Sequence, residues 1–191
     1  MKTWIHFIWF LIFTMIGGCV NDTNVRSEKI YTDKERSMLG LCVALADTAM
    51  YIAQQKLMQR PKQELVDYYN AQKNARIKIA TLEKVYEDEF SNVWDYSTHF
   101  FVECGPELAK VEIGRMRPAA ECAQNSFIAA VAFGFKREGF PKEEAYNTFK
   151  DFESAVPGQV IDRVYASNEE RGHVLTGEWN RCMDNLFHQP E

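Results

Sequence analysis

Three observations predict an all-α fold. Apolar residues recur at three- and four-residue spacing along most of the chain. Prolines and glycines stand where such stripes begin and end, as helix starts and stops require. No run alternates apolar and polar residues as a half-buried strand would, and no Asn-Gly hairpin turn is present.

Taken in order, Thr32-Asp33-Lys34-Glu35 reads as a capping box that opens the first helix. Met38, Cys42, Leu45, Ala49, Ile52 and Ala53 form its apolar stripe. Pro61 ends this helix and starts a second, which Leu65, Tyr69, Ile79, Leu82 and Tyr86 carry to about residue 89. Ser91 caps a third helix bearing Val93, Trp94, Phe101 and Cys104, and Gly105-Pro106 breaks it. Pro118 precedes a helix through Cys122, Phe127, Ala130 and Phe133, which Gly139 ends as a left-handed cap. Pro141 opens the next, with Ala145, Phe149 and Phe152, and Pro157-Gly158 breaks it. Val160 to Tyr165 suits a short helix and His173 to Leu186 a last one.

The two halves resemble each other. Aligning residue 42 with residue 122 without gaps pairs Cys42 with Cys122, Ala49 with Ala129, and Lys56 with Lys136. Pro61, Lys62 and Glu64 then meet Pro141, Lys142 and Glu144, while Tyr69 faces Phe149. Six of twenty-nine positions match, against about two expected by chance at average composition. The expectation is two pseudo-repeated three-helix units, about 32–104 and 117–186, packed as one compact domain. Cys104 and Cys182 lie 62 and 60 residues after Cys42 and Cys122. Four cysteines allow three pairings. The repeat selects Cys42 with Cys104 and Cys122 with Cys182, so that each unit carries its own staple.

The fifth cysteine has a different setting. Lys2 supplies a positive start, Trp4 to Ile16 an apolar run broken only by His6 and Thr14, and Gly17 and Gly18 a small-residue approach to Cys19. That is the order of a secretory signal, and the run is short of the roughly 20 residues of a membrane span. Ile16-Gly17-Gly18-Cys19 resembles the lipobox of bacterial lipoproteins. The resemblance covers residues 1–19 and implies cleavage after Gly18 and lipidation of Cys19. Val20 after the cysteine, by the same resemblance, implies sorting to the outer membrane. Residues 1–18 are then a signal peptide, 19–31 a lipidated cysteine with a flexible tether, and 32–191 the helical domain with its two halves. A tether of this kind spans about 20 Å, so the domain is expected to face the periplasm close to the membrane.

Composition narrows the function classes. Net charge is −5 and no long basic run occurs, which leaves nucleic acid without an electrostatic footprint. The histidines, His6, His99, His173 and His188, are scattered, and His99 lies five residues from Cys104, off a shared helical face. No zinc-ligand spacing, nucleophile elbow or phosphate-cradling glycine loop is present, so neither metal nor cofactor is expected. Glu87, Asp88 and Glu89, and Glu143 with Glu144, are candidate paired carboxylates, although acidic runs are ordinarily solvated helix faces. Trp94, Tyr96, His99, Phe100 and Phe101 form an aromatic group that reads as core before it reads as a ligand pocket. Arg115 and Arg117, between the halves, are candidate contacts for an acidic partner, with a solvated loop as the plainer reading. The reading that results is non-catalytic: a lipid-anchored envelope protein that binds a protein partner, as an immunity or inhibitor protein against an envelope-targeting effector. An assembly factor comparable to pilotins, and a hydrolase using two carboxylates, stand as alternatives.

Overall fold

The computed structural model describes residues 30–152 and 154–186. Among these residues every regular element is helical. The signal segment, Cys19, His6 and His188 lie outside them.

Helix α1 (Asp33–Leu57) opens with the capping box. Thr32 Oγ1 accepts from the Glu35 N–H at 3.2 Å, and Glu35 Oε2 accepts from the Thr32 N–H at 2.7 Å. By length and composition α1 is apolar enough to cross a membrane, but half of its most apolar window is buried in the fold. Leu39, Cys42, Ala46, Ala49, Ile52 and Ala53 are inaccessible to solvent, so the stripe serves the core.

The expected helix from Pro61 to about residue 89 is two helices, α2 (Lys62–Asn70) and α3 (Ala75–Glu87). Asn74 breaks the run with a left-handed backbone at φ 61°, a conformation asparagine tolerates better than most residues. The chain folds back there, so α2 and α3 pack as a hairpin. Helix α4 (Val93–Cys104) follows, capped by Asn92, whose side chain accepts from the Trp94 and Asp95 N–H groups at 2.8 and 3.1 Å. Residues 32–104 therefore carry four helices rather than three.

Gly105-Pro106 does not end the helical path. It continues as a π-helical turn, Gly105–Ala109, which stops at Lys110 in a left-handed conformation. Proline is tolerated there because the first turn needs no N–H from it. Gly105 makes room for a neighbour: a Cβ would fall 2.3 Å from the Met116 Sδ and Cε, so that side chain would have to shift. After a 3-10 turn at Ile113–Arg115, α5 (Met116–Arg137) takes Pro118 into its first turn rather than starting after it. Helices α6 (Lys142–Thr148), α7 (Val156–Ala166) and α8 (Arg171–Asn185) complete the chain, making four in this half too.

Two disulfides close these segments: Cys42–Cys104 joins α1 to α4, and Cys122–Cys182 joins α5 to α8. Other contacts recur between the segments. Lys56 Nζ donates to the Val85, Tyr86 and Asp88 carbonyls at 3.0, 3.0 and 2.6 Å, which satisfies the open end of α3. Lys136 Nζ does the same at the end of α7, donating to the Val164 carbonyl at 3.1 Å and to that of Ser167. Lys62 pairs with Glu83, as Lys142 pairs with Asp162. The Tyr86 hydroxyl donates to the Arg60 carbonyl at 2.7 Å, and the Tyr165 hydroxyl to the Phe140 carbonyl at 3.1 Å. Gln59 and Gly139 both turn the chain with positive φ, 58° and 81°.

One apolar cluster gathers residues of α1 to α4 and the first half of α5 with Trp179 and Met183 of α8; a second gathers the later half of α5 with α6, α7 and the start of α8. Replacing Cys42 and Cys104 together by serine frees a 62-residue loop. The loop-entropy model puts the expected loss near 4 kcal/mol, to be measured by urea unfolding of the otherwise oxidised protein.

Candidate functional site

The two halves meet unevenly. Helix α4 packs against α5, and the Trp94 ring fills the join, edge-on to Phe127, Phe149 and Phe152 at 6.0, 5.7 and 5.5 Å. On the opposite side α1 and α8 stand apart and leave a cleft of ≈ 670 Å³, a size typical of binding sites. The side chains at equal offsets from the disulfide cysteines differ between the two sides. Trp94 stands ten residues before Cys104, and Gly172 stands ten before Cys182. Phe127 stands five after Cys122, and Asp47 five after Cys42. Where one side has tryptophan against phenylalanine, the other has glycine and an aspartate.

Each end of the cleft is bridged by an arginine, with α1 and α8 antiparallel between. Arg171, at the start of α8, donates to both oxygens of Asp47 at 2.8 and 2.6 Å. Arg36 donates to Asp184 at 2.6 Å and to the Asn180 side-chain oxygen at 3.1 Å. These bridges are about 16 Å apart at 1.5 Å per helical residue. Asp47 sits within the apolar stripe of α1, so a bidentate arginine is what makes its burial tolerable. Glu178 is also buried, and Arg163 holds it with two bonds of 2.7 and 2.6 Å. Both buried carboxylates are thus committed to guanidinium groups.

The floor of the cleft is apolar, with Val43, Leu175 and Trp179. Trp179 is 4% exposed and packs edge-on to Phe101 at 6.0 Å. Its Nε1 lies 3.5 Å from where a Cβ would stand on Gly40. Among the described residues that N–H has no hydrogen-bond partner, and it is not one of their sealed-off polar atoms, so it opens to solvent. Beyond the Asp47 end, Tyr51 and Tyr68 are exposed, and Tyr68 contacts the buried Tyr69 ring at 5.1 Å. Burial, reinforced by the neighbouring tyrosines and Asp47, pushes the Tyr69 phenol above its ordinary range. It stays protonated.

The residues singled out in the sequence are dispersed. His99 is exposed and faces Glu103 at 3.0 Å, and His173 is exposed on α8. Among the described residues no group of three or more histidines, cysteines or carboxylates stands where it would hold a metal ion. Asp88 accepts from the Tyr96 hydroxyl at 2.8 Å and lies 3.5 Å from Lys84, while Glu143 and Glu144 face solvent in the first turn of α6. Of the aromatic group, Tyr96, Phe100 and Phe101 are core and Trp94 is the join between halves.

Arg115 is a clamp rather than a free contact. Its guanidinium donates to Glu35 at 2.9 and 3.3 Å and to the Ile30 carbonyl, and it lies over the Tyr31 ring at 5.4 Å. The Tyr31 hydroxyl donates to the Arg115 carbonyl. Tyr31 is 1% exposed, so the last residues of the expected tether belong to the fold. Arg117 is exposed beside Glu121. Reasoning from the sequence missed Asp47, Arg171, Gly40, Gly172 and Trp179, although a lone aspartate in an apolar stripe is a signal that some cation must meet it. Comparison with known proteins gives no matching family model, no matching curated protein and no matching solved structure.

Two outcomes follow from these pairs. Asp47→Ala leaves the Arg171 guanidinium, which is partly exposed, without its acceptor. The expected cost is about 1–3 kcal/mol, read by urea unfolding. Glu35 is held at about 2, first by the Arg115 hydrogen bonds and then by the Thr32 N–H, against an ordinary 4.5. A lowered carboxylate pKa contributes stability above the unfolded value and loses it as pH falls toward the folded one. The stability gap between the native protein and Arg115→Gln is therefore expected to shrink from pH 4.5 to pH 2, followed by thermal melts across that range.

Proposed function

We propose that this chain is a lipid-anchored protein of the cell envelope that binds a protein partner through the α1/α8 cleft. Its role is that of an immunity or inhibitor protein toward an effector that attacks the envelope. One observation carries the reading: the join between halves is filled at α4/α5 and open at α1/α8. The side chains around the opening are of the kind that dominate protein interfaces, with Trp179 in the floor, Arg36 and Arg171 at the ends, and Tyr51 and Tyr68 beyond. The compartment is supported by two long-range disulfides, which persist in oxidising spaces. Cys19, after its signal-like leader, supplies the anchor in this reading.

The halves are, in the same proposal, two copies of one helical plan. The recurring lysine caps, the paired Lys62–Glu83 and Lys142–Asp162 bridges and the equivalent disulfides support that reading. Duplication supplies the architecture, and divergence at Gly172 and Asp47 supplies the binding face.

The test is affinity capture from detergent-solubilised envelopes, followed by binding of the purified captured protein. Thr176→Arg places a long charged side chain in the cleft and is expected to abolish binding, whereas Arg117→Ala, on the exposed face at Glu121, is expected to leave it intact. Binding that survives Thr176→Arg, in protein that folds as the native one does, refutes the cleft as the interface. Cys19→Ser is expected to move the chain from the membrane to the soluble fraction.

A further inference from the structure

The two sides of the internal join differ mainly in what fills them, and the filled side indicates what the open side accepts. We infer that the α1/α8 cleft receives a bulky aromatic side chain of the partner, accompanied by a neutral hydrogen-bond acceptor for the Trp179 indole. The inference rests on the partner-binding reading and specifies its chemistry.

The first argument is steric. Trp94 and Gly172 occupy matching places relative to Cys104 and Cys182. At α4 the tryptophan ring is accommodated by three aromatic neighbours across the join. At α8 a Cβ built on Gly172 meets nothing within 4 Å, and the ≈ 670 Å³ cleft that Gly172 lines has room for an indole-sized group. The walls suit a ring: Val43 and Leu175 are apolar, and the Arg171 guanidinium presents a plane on which aromatic faces stack.

The second argument is polar and independent of the first. The Trp179 side chain is all but buried, lines the cleft, and has an indole N–H with no partner among the described residues. The N–H is therefore open to the cleft rather than sealed off, and an incoming acceptor takes the place of water on it. The acceptor is neutral because both cleft arginines are already held by carboxylates, Asp47 at one end and Asp184 at the other. An anionic ligand would have to displace one of them. A backbone carbonyl beside an aromatic residue meets both demands.

The experiment uses the full chain purified from envelopes in detergent, with 15N in its tryptophan indoles, and N-acetyl-tryptophanamide as the probe. Trp179→Phe identifies one indole resonance and Trp94→Phe another. Raising the probe to about 10 mM saturates a site whose Kd is about 1 mM. The Trp179 N–H resonance is expected to move and saturate while that of Trp94 stays in place. Gly172→Trp supplies the ring from within and is expected to abolish the response; Thr176→Trp serves the same purpose if that protein does not fold. N-acetyl-leucinamide is expected to leave Trp179 unmoved. A stationary Trp179 resonance in folded protein, an equal response to the leucine probe, or a response that persists in both filled variants overturns the inference. The two proposals fail separately: cleft-dependent partner binding with a silent Trp179 removes only the aromatic class, and a responsive Trp179 without any cleft-dependent partner removes only the protein-partner reading.

Discussion

Two covalent bridges, each between the first and last helix of a four-helix segment, constrain where everything else in this molecule can lie. Cys42–Cys104 and Cys122–Cys182 fix α4 beside α1 and α8 beside α5. The α2–α3 and α6–α7 hairpins then have only the remaining flank to cover, and each is fastened there by a lysine whose ammonium group caps the carbonyl end of the hairpin's second helix. The carbonyls at those helix ends would otherwise depend on water. Covalent and electrostatic constraints thus agree on one arrangement.

That shared arrangement makes the differences between halves informative. Both segments carry a first-to-last-helix disulfide, and particular side chains at the join differ between them. Tryptophan and phenylalanine close one side through ring-to-ring contact. Glycine, aspartate and arginine hold the other side open, with ion pairs bridging helices that lean together less closely than α4 and α5. A buried ion pair adds little net stability compared with apolar packing. Its presence at Asp47 and Arg171 fits a surface under a demand other than stability.

The helical class was legible because amphipathic spacing and proline punctuation persist along the whole described chain. The cysteine pairing was legible because near-equal spacings, 62 and 60 residues, single out one of three arrangements, and the structure has that pairing. The α2–α3 break was not, because Asn74 reverses the chain while the apolar stripe resumes on the far side in a helical phase. The π-helical continuation through Gly105-Pro106 was hidden for a related reason: both residues read as a stop, and the Met116 side chain that packs over Gly105 lies on another element. The cleft was invisible because it depends on absent side chains at Gly40 and Gly172, and on Arg171 meeting Asp47 across 124 residues of chain. Arg115 read as a loop residue because its partners, Glu35 and Ile30, lie at the other end of the first half.

Helix α5 is shared property. Its residues through Phe127 belong to one apolar cluster, and those from Ile128 to Ala132 belong to the other. Neither half owns a complete interior. Removing either cluster would strip cover from one stretch of α5 and expose the boundary of the next. The two apolar clusters therefore meet along one helix rather than across a linker.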